Sequence, residues 1–162
     1  MKTWKNVALA AAVVVVLTSF TGIVSAAMAA QAAPEDVVAA YLAIQEKLAG
    51  DSAHEVAASA DELAAAAREL AKQGKHSKDL QAIAAAAGRM EGADLDALRS
   101  AFDAVSRAMV AYAQKARLGL GLGLYYCPMK DAYWLQRGDH IRNPYYGKSM
   151  LGCGQKAESV KE

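Results

Sequence analysis

Two cysteines and three prolines are all that the 162 residues contain, and no two cysteines are spaced Cys-x-x-Cys. That absence excludes thioredoxin-like redox chemistry and c-type haem attachment. Also missing are G-x-S-x-G, H-E-x-x-H and any glycine loop with phosphate-binding spacing, which removes the familiar hydrolase, zinc-protease and nucleotide-binding signatures. Gly119, Gly121 and Gly123 follow a helical stretch, the wrong setting for a dinucleotide turn. Charge of one sign is lacking too. The formal net charge is +1, so there is no electrostatic case for nucleic-acid binding. No pair of groups is arranged for acid–base or nucleophilic work, and an enzyme is not expected.

Long hydrophobic runs are scarce, with one exception at the start. Lys2 and Lys5 precede an uncharged apolar run from Val7 to Leu17, and Val24-Ser25-Ala26 and Ala27-Met28-Ala29 follow as small-x-small sites. This is the layout of a cleaved secretion signal over residues 1–29, with cleavage expected after Ala29 and with Ala26 and Ala32 as competing sites. An uncleaved anchor is the alternative, since Val7 to Ala30 exceeds the ~20 residues needed to span a bilayer. Thr18, Ser19, Thr21 and Gly22 dilute its second half. Cleavage leaves residues 30–162 as one periplasmic or otherwise exported domain, with no membrane attachment. Loss of Lys2 and Lys5 takes the net charge from +1 to −1. In an oxidising compartment Cys127 and Cys153 are then free to pair.

The remaining chain has two unlike parts. Residues 34–117 are rich in Ala, Leu, Glu and Lys; residues 118–154 hold five of the seven tyrosines, Trp134, both cysteines and two of the three prolines. The first part reads as four helices. Helix one is expected from Pro34 to Gly50, with Glu35 and Asp36 complementing the helix dipole and Val37, Tyr41, Ile44 and Leu48 forming the apolar stripe. Helix two is expected from Ser52, with Glu55 completing a capping box, through Val56, Leu63 and Leu70 to Gly74. Helix three starts near Ser77, carries Leu80, Ile83, Ala87 and Met90, and ends at Gly92. Helix four is capped by Asp94, and its stripe is Leu95, Leu98, Phe102, Val105, Met109, Tyr112 and Ala116. Short connections favour an antiparallel up-down four-helix bundle, a mainly α fold. Alanine buries little area, so at ~25 cal/mol per Å² the core is thin and the aromatic C-terminal segment is expected to pack on it.

That segment is expected to be irregular or to form short strands. Leu118 to Leu124 alternates leucine with glycine, which suits an extended ladder. Gly138-Asp139 is a polar turn, and Asn143-Pro144 is another. Tyr133, Trp134, Tyr145 and Tyr146 are expected in the core. His54 and His76 lie near helix starts and are expected to be exposed, and Lys130-Asp131 reads as a solvated loop.

The motifs here are Cys127-Pro128-Met129, Ala132-x-Trp134-Leu135, Ile141-Arg142-Asn143-Pro144-Tyr145-Tyr146-Gly147 and Met150-Leu151-x-Cys153-Gly154. In order and spacing they resemble the DUF3347 domain of small exported bacterial proteins, also found as a C-terminal module on some periplasmic adaptors of heavy-metal efflux systems. Weaker agreement reaches Ala101-Phe102 and Val105-Ser106, and the helices agree mainly in pattern. Two departures stand out: the stretch between Met129 and Ala132 is short, and Tyr126 replaces a common histidine. The resemblance implies a role in metal handling or efflux, with an adaptor or other envelope protein as partner.

The residues themselves leave two readings open. Cys127 with Met129, and Met150 with Cys153, can converge as a soft ligand set for Cu(I) or Ag(I). His140 in place of one thioether makes a set Zn(II) would also accept. Alternatively, Cys127 and Cys153 enclose 25 residues, and a disulfide there would contribute ~3–4 kcal/mol. Met129 and Met150 would then be ordinary packing residues in a stapled, non-enzymatic interaction domain.

Overall fold

The computed structural model describes residues 32–92 and 94–157. The expected secretion signal, residues 1–29, lies outside the described residues. Among the described residues four helices come first: α1 (Pro34–Ala49), α2 (Val56–Ala71), α3 (Ser77–Ala87) and α4 (Leu95–Ala116). A three-stranded antiparallel sheet follows, made of β1 (Leu122–Cys127), β2 (Ala132–Arg137) and the two-residue β3 (Gln155–Lys156), in the order β2-β1-β3. The protein is thus mainly helical with a small C-terminal sheet.

α1 begins at Pro34, as its missing N–H predicts, and the Asp36 carboxylate accepts the Ala33 N–H at 2.8 Å. α4 is capped by Asp94, whose Oδ1 accepts the Ala97 N–H at 2.7 Å. α2 differs from expectation. It starts at Val56, and Ser52 and Glu55 form no capping box. The Ser52 N–H instead returns to the Lys47 carbonyl at 2.9 Å, and Asp51 and Glu55 both take left-handed backbone. The connection is shaped by the end of α1 rather than by the start of α2. α2 and α3 also stop at Ala71 and Ala87, short of Gly74 and Gly92. Their chains continue in i→i+3 turns, such as Gly74 N–H to Ala71 O and Met90 N–H to Ala87 O, the usual tightening at a helix end.

Packing follows chain order: α1 on α2, α2 on α3, α3 on α4, and α4 on β2. The expected stripes form the core, with Val37, Tyr41, Ile44, Leu48, Val56, Leu63, Leu80, Ile83, Leu98, Phe102, Val105 and Met109 fully or almost fully buried. Trp134, Leu135, Tyr125 and Cys127 belong to that same core. Aromatic rings join the two parts: Tyr41 stacks on Phe102 at 5.4 Å, Phe102 meets Tyr145 at 5.8 Å, and Trp134 meets Tyr145 edge-on at 6.2 Å. Large rings thereby supply the buried area that the alanines do not.

Two local expectations for the C-terminal segment are corrected. Gly119 to Gly121 is a turn, not a ladder: Leu120 and Gly121 have positive φ, and the Leu122 N–H bonds the Gly119 carbonyl at 2.9 Å. The strand begins only at Leu122. Tyr133 is 45% exposed, because β2 turns Ala132, Trp134 and Leu135 inward and leaves Tyr133 on the outer face. No helix among the described residues is long and apolar enough to cross a membrane.

Candidate thiol site at the hairpin end

β1 and β2 pair from Leu122↔Arg137 at one end to Cys127↔Ala132 at the other. Cys127 therefore ends β1 and opens the Pro128–Asp131 turn. It is fully buried, whereas Cys153 is half-buried just before β3, and both are free thiols. The two thiols are neighbours, linked through one side chain, that of Asn143. Burial pushes the Cys153 thiol above its ordinary range, and the neighbouring Cys127 adds to the shift. β3 pairs with β1 through Tyr125↔Lys156 and Tyr126↔Gln155, and this pairing is what brings Cys153 back to Cys127.

Asn143 lies beneath the pair and is fully buried. Its Nδ2 donates to Cys127 Sγ at 3.2 Å and to the Cys153 carbonyl at 2.6 Å. Its Oδ1 accepts the Tyr145 N–H at 2.8 Å, which makes Asn143-Pro144 a side-chain-closed turn. Its backbone is held as well, the N–H by the Leu151 carbonyl and the carbonyl by the Gly147 N–H.

Two further buried amides pin the approach to this loop. Gln136 Oε1 accepts from Trp134 Nε1 and from the Arg142 N–H, while its Nε2 donates to the His140 carbonyl. Gln45 of α1 donates to the Arg142 carbonyl at 2.7 Å. Every buried side-chain polar atom among the described residues has a partner, as a buried polar network requires.

The outer edge of β2 is closed by helix side chains. The Tyr41 hydroxyl lies 2.7 Å from Ser106 Oγ and accepts the Leu135 N–H at 3.1 Å. Ser106 and Tyr145 both donate to the Tyr133 carbonyl. Burial pushes the Tyr41 and Tyr145 hydroxyls far above the ordinary tyrosine range, so both stay neutral hydrogen-bonding groups. Arg99 provides a second clamp. It donates to the carbonyls of Leu48 and Pro144 and to Asp51, joining the end of α1, the first turns of α4 and the loop. Asp51 also accepts the Lys148 N–H at 3.1 Å.

Of the five residues singled out from sequence, Cys127 and Cys153 are linked through Asn143. Met129 is 63% exposed in the turn two residues beyond Cys127. Met150 is half-buried, and its carbonyl accepts the Cys153 N–H at 2.9 Å. His140 is exposed and emerges three residues after Arg137, beyond the hairpin end opposite Cys127. Among the described residues no three of His, Cys, Asp and Glu cluster as metal ligands. The donor set present is two sulfurs with an amide behind them. Such a set suits a soft, two-coordinate monovalent ion.

Sequence reasoning missed the amides and the Tyr41–Ser106 pair. A signal was present for some of them: Gln45 and Ser106 are polar residues on otherwise apolar helix faces, beside Ile44 and Leu48 and between Phe102 and Met109.

No curated protein and no solved structure matches the chain. One family model does match, that of DUF3347, described as a protein of unknown function, over residues 37–119. The match runs from α1 through α4 and stops before β1, so it falls on the helices and not on the cysteine-bearing motifs. It spans more than half of the chain, and on that ground the chain belongs to the DUF3347 family.

Proposed function

We propose that this is a small exported protein that binds Cu(I) between the sulfurs of Cys127 and Cys153 and serves heavy-metal handling or efflux. The observation that supports this most directly is one buried amide serving a fully buried and a half-buried free thiol, donating to the sulfur of Cys127 and to the carbonyl of Cys153. Cu(I) and Ag(I) are the ions that two soft ligands suit. Met129 and Met150 lie between the two cysteines in sequence, each within three residues of one, and are the reserve thioether donors; His140 is a conditional ligand that requires movement of the loop. In this reading the four helices form an antiparallel up-down bundle that presents the hairpin end, and the partner is a periplasmic efflux adaptor or another envelope protein. The cleaved signal delivers the domain to the compartment where such a partner works, and no catalysis is involved.

The second reading is a disulfide-stapled interaction domain without metal. It is favoured by the same neighbouring free thiols and by the exposed Met129 and Tyr133 near the hairpin tip, an apolar face suited to a partner protein. One experiment separates the two. The protein is extracted from the periplasm, its free thiols are titrated, its metal is determined, and Cu(I) uptake is then measured after reduction against a chromogenic chelator. One equivalent of Cu(I), lost in Cys127→Ser, supports the metal reading. Two blocked thiols, with no uptake after reduction, overturn it in favour of the staple.

A further inference from the structure

Asn143 reaches both cysteines and has no free polar group, and its amide orientation is not open to choice. The Tyr145 N–H can only donate, so the group facing it at 2.8 Å must be the amide oxygen. The Cys153 carbonyl can only accept, so the group facing it at 2.6 Å must be the NH2. The remaining N–H of that NH2 then points at Cys127 Sγ, 3.2 Å away. The turn at Asn143-Pro144 thus fixes a hydrogen-bond donor on one sulfur and the backbone of the other cysteine at once.

We propose that Asn143 is the positioning residue of the thiol pair: its amide holds the Cys127 sulfur and the Cys153 main chain in register, so that both sulfurs close on one soft ion. This rests on the thiol-pair reading of the function. A donor behind a ligating sulfur orients it and spreads its charge, the role played by hydrogen-bonding partners behind metal ligands generally. Asn143 touches no ion itself. It also explains why a loop residue is fully buried when the neighbouring Arg142 is exposed.

The test compares the full chain with Asn143→Asp, which keeps the oxygen facing Tyr145 and replaces the two N–H donors by an acceptor. Cu(I) affinity is measured by chelator competition, and the sulfur-to-copper charge-transfer band is recorded on both proteins. The expected result is about a 10- to 100-fold loss of affinity, the range typical for a group behind a metal ligand, together with a displaced band. Affinity within twofold of wild type and an unmoved band, in a variant whose circular dichroism matches wild type, overturns the role of Asn143 and leaves the site standing. A wild type that takes up no Cu(I) overturns the site, and the role with it. Should the variant not fold, 15N-labelled wild type decides: the Asn143 side-chain amide resonances must shift on loading with Cu(I), and unshifted resonances overturn the role.

Discussion

The carboxylate of Asp51 occupies the space that a side chain on Gly147 would need. A Cβ built at Gly147 would stand 1.8 Å from Asp51 Oδ1 and 2.1 Å from Arg99 Nη2, and Gly147 has a left-handed φ of +55°. The last residue of the Ile141–Gly147 motif is therefore glycine for two reasons, backbone conformation and the close approach of the Asp51–Arg99 pair. That pair ties the end of α1 to α4 and, through Pro144, to the loop beneath the thiols.

Gly147→Ala is accordingly expected to destabilise the fold. The left-handed backbone alone costs a β-carbon about 1–2 kcal/mol, and displacing the ion pair adds about 1–3 kcal/mol of strain. Urea unfolding checks this, and a midpoint unchanged from wild type would show that the loop moves aside freely. Cu(I) affinity is expected to fall in the same variant, since Pro144 and Asn143 are neighbours in one turn.

Tyr41→Phe tests the closure of the β2 edge. The hydroxyl satisfies the buried Leu135 N–H and pairs with Ser106, and an orphaned buried donor costs about 1–3 kcal/mol. Ser106→Ala is expected to cost a similar amount through the Tyr133 carbonyl, although Tyr145 still donates there. Because the two hydroxyls share one network, the double variant is expected to lose less than the sum of the singles. Chemical denaturation of all four proteins measures the coupling, and strict additivity would contradict the network.

How much of this was legible in the sequence varies with the physics involved. Helix positions were legible where a cap or a stripe acts locally, as at Pro34, Ser77 and Asp94. They were not legible where a distant group decides. Ser52 and Glu55 look like a capping box, but Asp51 is drawn to Arg99, 48 positions away, and the chain between α1 and α2 follows that contact. That Cys127 and Cys153 belong to one site was an expectation from their being the two cysteines of the chain, and the structure links them through Asn143. The exclusion of His140 from it depends on strand register, which puts Arg137 opposite Leu122 rather than near Cys127. Asn143 was readable as a turn residue. That its amide serves two cysteines depends on β3 returning beside β1, and a two-residue strand leaves almost no pattern.

Acid is expected to weaken the Asp51 clamp. The hydrogen bond from Arg99, chiefly, holds the Asp51 carboxyl below its ordinary range. A carboxyl whose folded value is depressed contributes stability above its unfolded value of about 3.9, and loses it as pH falls through the folded value. The stability gap between wild type and Asp51→Asn is thus expected to be full at pH 7 and to close below about pH 4. Urea midpoints at pH 7, 5 and 3 check the sign. An equal gap at pH 3 would place the effect of the substitution in packing rather than in charge.

The two cysteines differ most in access, and that difference makes their chemical state readable. In the fully reduced protein Cys153, half-buried, is expected to react first with a thiol reagent. Cys127 is fully buried, so it reacts only when the sheet opens, a local event costing several kcal/mol. Labelling is therefore expected in two phases, with one thiol per chain in the fast phase, assigned to Cys153 by peptide mass. The slow phase should be at least ~100-fold slower and should accelerate in mild urea. Adding one equivalent of Cu(I) before the reagent distinguishes the states. An ion held between the sulfurs must protect Cys153 as well as Cys127, although Cys153 is the accessible one, and a copper chelator must restore the fast phase. A disulfide also silences both, but it answers to a reductant and not to a chelator. Protection of neither thiol by Cu(I) would mean that the sulfurs, although neighbours, do not share an ion.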